Sequence, residues 1–108
     1  MKSVLAPLQE RGYIFRRLEP FSPSLVGSRK RIKIYHGIDM QKRYLILFAV
    51  KRKSTILLKD VTEWLELKSK IENYLGYPIL QNLALFEAPI CSKAKRMLES
   101  EGWKVIEV

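Results

Sequence analysis

Seven consecutive apolar residues, Tyr44 to Val50, stand between the basic pairs Lys42-Arg43 and Lys51-Arg52. A run of that length with charge at both ends predicts a strand buried on both faces. Just before it, Ile32, Ile34 and His36 alternate with Lys33 and Tyr35, the period of a second strand. A turn over 37–43 joins the two into a predicted antiparallel hairpin. Nearer the N-terminus, Leu5 and Leu8 share a helical face and Gly12 suits a C-cap, which predicts a short helix over 2–11, limited by Pro7. A first strand is expected at 13–18. Pro20, Pro23, Gly27 and three serines then break both periodicities, so 19–30 is expected to be a flexible loop.

Beyond the hairpin, Asp60 followed by Glu63 has the spacing of a capping box, with Asp60 as the N-cap. Val61, Trp64, Leu65, Ile71, Tyr74 and Leu75 fall largely on one face of the helix this predicts, and Gly76 and Pro78 end it. A buried strand follows over 81–87. Ser92 is placed to cap a second helix carrying Ala94, Met97 and Leu98, and Gly102 ends that helix before a last strand at 103–107. Trp64 and Trp103 lie on apolar faces and read as core. The element order is helix-β-β-β-helix-β-helix-β, with the last two strands parallel through a right-handed crossover. That is an α/β fold, expected as a single small domain over 1–108 with a mixed central sheet flanked by helices. No apolar run is long enough to cross a bilayer, so no membrane partner is expected, and the single cysteine, Cys91, suits a reducing, cytoplasmic setting.

Charge changes this picture through its position. Nine basic residues lie between Arg29 and Lys53, opposed only by Asp39, so this segment carries +8 of the net +9. Pairing the hairpin about Met40 sets Arg29, Lys30, Arg31 and Lys33 beside Lys51, Arg52 and Lys53. Such a cluster repels itself and is stabilised by an anionic partner, most commonly a phosphate backbone. Nucleic acid is therefore the expected partner, DNA ahead of RNA, with Tyr35 and Tyr44 as stacking platforms. Two other readings stand beside it. Edge lysines also serve simply to block unwanted sheet pairing, and a basic face also docks an acidic protein, or supports a homodimer.

The order of elements resembles the core of the PD-(D/E)XK nuclease superfamily, the restriction-endonuclease-like group that includes the Holliday junction resolvases. In that family the third strand ends in an apolar run followed by Glu-x-Lys and further basic residues. Here the corresponding stretch is Phe48-Ala49-Val50-Lys51-Arg52-Lys53. Lys51 matches the family lysine, whereas Ala49 stands in the place of the metal-binding glutamate. The resemblance thus implies a nucleic-acid-binding domain of nuclease-like fold without catalysis and without a cofactor, Mg being required only if displaced acids restore an active nuclease.

The candidate catalytic residues are then Lys51, Glu66 and Asp39. Asp39 in the hairpin turn would lie roughly 25 Å along the strand from Lys51, too far to share a metal, and reads better as a turn residue. Glu63 and Glu10 are further displaced carboxylates. Glu63 is already used in the capping box, and Glu66 fits a surface pairing with Lys70. His36 has no second metal ligand near it in sequence and reads as a packing or surface residue. Cys91 precedes Lys93 and Lys95 at a helix start, a setting that lowers a thiol pKa, but a small apolar junction residue explains it as well. The same helix start, with Ser92, Lys93 and Arg96, has the general chemistry of a phosphate contact.

Overall fold

The computed structural model describes residues 8–13, 15–27 and 32–108. Five strands form one sheet, in spatial order β1 (Phe15–Phe21), β2 (Lys33–Asp39), β3 (Tyr44–Lys51), β4 (Gln81–Glu87) and β5 (Trp103–Glu107). The first three are antiparallel neighbours, whereas β3, β4 and β5 run parallel. Parallel neighbours need crossover connections, and two helices supply them: α1 (Leu58–Leu75) after β3 and α2 (Ser92–Ser100) after β4. This is the mixed α/β sheet that the hydrophobic pattern predicts. None of the helices among the described residues is long and apolar enough to cross a membrane.

Alternation along each strand divides the core in two. Ile34, Ile46, Phe48, Val50, Ala84, Phe86 and Trp103 pack beneath Val61, Trp64, Leu67 and Ile71 of α1 and Ala94 and Leu98 of α2. Tyr35, Leu47, Leu83, Leu85 and Ile106 point the other way and are covered by the fully buried Leu8. Leu8 belongs to a helical turn, residues 8–10, and the rest of the predicted first helix lies outside the described residues. With apolar layers on both sides, β3 has four consecutive residues at or below 1% exposure, Leu45 to Phe48. That is why its sequence shows no alternation.

Several boundaries differ from the predicted ones, each for a local reason. β1 continues to Phe21, so 19–21 is strand rather than loop, and Pro23–Val26 forms a 3-10 turn. Pro20 is tolerated there because β1 is an edge strand. Ser28 to Arg31 lie outside the described residues. α1 begins at Leu58, and Asp60 is not its N-cap; it sits one turn in, where its carboxylate accepts the Leu57 backbone N–H at 2.9 Å. The acid thus satisfies a free amide at the helix start from inside the first turn, in the N3 role of a capping box rather than as its N-cap. The cap of α2 is Cys91 rather than Ser92, its Sγ accepting the Ala94 N–H at 3.4 Å.

Gly37, read from the sequence as the start of the hairpin turn, lies inside β2 opposite Leu18. The β1–β2 register shifts between Phe15 and Arg17, and the shift drives the Arg17 carbonyl against Gly37. A Cβ at this position would stand 1.9 Å from that oxygen. Gly37→Ala is therefore expected to destabilise the protein by about 3 kcal/mol, because backbone rather than a pliable side chain must move. Urea unfolding of the two proteins checks this, and a loss within about 0.5 kcal/mol would mean that β1 shifts freely.

Candidate nucleic-acid interface

The hairpin register pairs Lys33 with Ala49, Tyr35 with Leu47 and Ile38 with Tyr44, which centres the turn on Gln41 rather than Met40. Lys33, Ala49 and Lys51 consequently project from one sheet face, at the end where β3 finishes. Lys33 and Lys53 are exposed and take part in none of the ion pairs found among the described residues. Lys51, 84% exposed, reaches Glu87 across the parallel β3–β4 pair at 3.3 Å. Arg29, Lys30 and Arg31 lie outside the described residues.

Arg52 differs from its basic neighbours. Its guanidinium donates to Asp60 Oδ2 at 2.6 Å and to the carbonyls of Ser54 and Thr55 at 3.3 and 3.2 Å. It therefore pins the loop after β3 to the start of α1. The same loop is stitched to the exit of β4. Arg52 N–H donates to the Glu87 carbonyl, Ile56 N–H to Pro89, and Cys91 N–H back to Ile56. Burial raises the Asp60 pKa, but the Leu57 N–H and the Arg52 guanidinium outweigh it and hold the carboxyl below its ordinary value. Beside this pair opens a cleft of about 380 Å³, lined by Ile32, Val50, Lys51, Arg52, Asp60, Glu63 and Trp64.

The predicted catalytic candidates do not converge. Ala49 is flanked across the strands by Lys33 and Leu85, so a cation and an aliphatic side chain border the place of the family acid. Asp39 lies at the far end of the hairpin and is buried. Its Oδ1 accepts the backbone N–H groups of Gln41 and Arg43 at 2.8 and 2.9 Å. Its Oδ2 accepts Arg43 Nε at 3.0 Å and Gln81 Nε2 at 2.8 Å. The Arg43 amide, foremost among these, keeps the Asp39 carboxyl ionised below its usual range. Asp39 is a turn anchor. Glu66 is exposed on α1 without the expected ion pair to Lys70, Glu63 borders the cleft, and Glu10 is exposed on the N-terminal helical turn. Among the described residues no three His, Cys, Asp or Glu side chains come together to hold a metal ion.

Neither tyrosine is at the basic end as a free platform. Tyr35 is 7% exposed in the second core layer, and Tyr44 is stacked on Tyr77 at the opposite end of β3, ring centroids 4.0 Å apart. His36 packs edge-on against Phe21, with Glu19 at 4.0 Å, in the packing role its sequence context suggests. One residue of the site carries no signal in the sequence. Glu87 reads there only as a strand end, and its place beside Lys51 follows from the parallel register, which the β4 sequence does not display.

No protein-family model and no curated protein matches the chain. Three solved structures share its fold at 16% identity. They are EndoMS in its apo form (TM-score 0.63, covering 99% of this chain and 44% of that one), an EndoMS complex with double-stranded DNA (0.56; 98% and 42%) and a repair endonuclease from Pyrococcus abyssi (0.57; 98% and 45%). The chain thus has a nuclease-like fold and spans less than half the length of each of these proteins.

Asp60 offers a direct check on the loop clamp. Asp60→Ala is expected to cost about 2 kcal/mol at neutral pH, by removing both the cap and the charged hydrogen bond to Arg52. Because the folded-state pKa is lowered, this stability is present above the ordinary value of 3.8 and disappears as pH falls through the folded value. Urea titrations from neutral to about pH 2 should show the two proteins converging in acid. A gap independent of pH would remove the ionised carboxylate from the explanation.

Proposed function

We propose that the chain is a nucleic-acid-binding domain on a nuclease-like fold, acting on DNA ahead of RNA and without catalysis of its own. The observation that carries this reading is the exposed trio Lys33, Lys51 and Lys53 at the end of β3, within a segment that holds nearly all the net charge. Arg29, Lys30 and Arg31 belong to the same basic segment of the sequence. Double-stranded DNA bound to one of the proteins of similar fold supports DNA as the polymer. Ala49 in the place of the family acid supports binding without cleavage.

A second reading, an active Mg-dependent nuclease, is favoured by the endonucleases among the proteins of similar fold and by Glu87, a carboxylate beside the matching lysine. It requires Mg-dependent strand cleavage that Lys51→Ala abolishes.

Anisotropy titrations of labelled duplex, branched and single-stranded DNA over a range of salt test the first reading. Changing Lys33, Lys51 and Lys53 together to Ala is expected to weaken binding and to reduce the log–log salt slope on duplex by about 2.7, roughly 0.9 for each phosphate no longer neutralised. Arg52→Ala should lower thermal stability while leaving that slope nearly unchanged. Failure of the wild-type protein to bind any of the three DNAs at low salt would overturn DNA binding.

A further inference from the structure

We infer that Glu87 is an internal competitor for the phosphate at Lys51, so that nucleic acid engages this lysine only by exchanging one anion for another. The inference rests on the nucleic-acid reading above and concerns how that same site is regulated.

The carboxylate is positioned by the backbone rather than by chance. Lys51 and Glu87 are direct partners in the parallel β3–β4 register, and the next ladder bond, Arg52 N–H to the Glu87 carbonyl, locks the end of that register. The two side chains therefore emerge next to each other, with Nζ and Oε2 3.3 Å apart. Both remain largely in water, at 84% and 53% exposure, so the pair is held loosely and a phosphate can displace the carboxylate.

The neighbouring pair has the opposite character. Arg52 and Asp60 are 31% and 18% exposed, and the guanidinium also holds two loop carbonyls and Asp60 the Leu57 amide. Surrendering Arg52 to a phosphate would unfasten the loop, so no exchange is available there. Lys33 and Lys53 have no carboxylate partner among the described residues. The basic end is thus graded into two unopposed lysines, one lysine already shared with an anion, and one arginine committed to structure. After exchange the Glu87 carboxylate stays within a few ångströms of the incoming phosphate and repels it, which holds back sequence-independent binding.

The test is a double-mutant cycle read by the same anisotropy titration of labelled duplex, with wild type, Glu87→Gln, Lys51→Ala and the double variant. Glu87→Gln is expected to tighten binding about three- to tenfold at low salt, the scale of one unit charge a few ångströms away in water, with the gain shrinking as salt rises. In the Lys51→Ala background the same change should gain at least about threefold less, because no pair remains to be broken. Equal gains in both backgrounds would reduce Glu87 to a general like-charge effect and overturn the competitor role. So would unchanged or weaker binding by Glu87→Gln while the wild type binds. Absence of binding by both the wild type and Glu87→Gln would overturn the nucleic-acid reading itself, and the competitor role with it.

Discussion

The middle of strand β3, Leu45 to Phe48, meets water on neither face, and the remaining architecture is arranged around that demand. Leu45, Leu47 and Ala49 point toward the layer closed by Leu8, Ile46, Phe48 and Val50 toward the one closed by α1 and α2. A strand of this kind must be flanked on both edges, by β2 on one side and β4 on the other, and its parallel partner requires the α1 crossover. Its basic flanking residues have nowhere to go except the two ends. The location of the charge is therefore a consequence of core packing.

The two ends then treat their charge differently. At the turn end, Arg43 is absorbed by Asp39, which also gathers two turn amides and the Gln81 side chain, so this end is mechanically fixed and Lys42 stands exposed beside a neutralised pair. At the other end only Arg52 is absorbed, while Lys33 and Lys53 stay in solvent and Lys51 shares a loose pair. A nuclease-like fold thus presents a cationic strand end bordered by Ala49, where the family resemblance expects a metal-binding acid.

Much of this fold is legible from the chain because burial writes itself into local pattern. The unbroken run of β3, the alternation in β2 and the one-sided helix after Asp60 all report which faces are dry. What local pattern does not carry is relations between residues distant in sequence. Glu87 stands beside Lys51 because of a parallel register that β4 alone does not encode. Gly37 resembles a turn residue until the displaced Arg17 carbonyl is in view. Asp60 marks a helix start correctly but not its exact place, since acids are favoured both at the N-cap and at N3, where each accepts a different free amide. Tyr35 and Tyr44 have the stacking chemistry of a nucleic-acid binder, yet one is buried and the other faces Tyr77.

The stitched loops after β3 and β4 bear on the thermodynamics of any encounter at the basic end. Ile56 bridges to Ile90, Cys91 returns a hydrogen bond to Ile56, and Arg52 closes the loop from inside. The backbone beneath Lys51, Arg52 and Lys53 is thereby ordered before any partner arrives. The entropy of arranging that stretch is lost during folding, and complex formation need only restrict side-chain rotamers. A preorganised platform of this sort leaves little further backbone entropy to be lost when a partner of any kind docks on it.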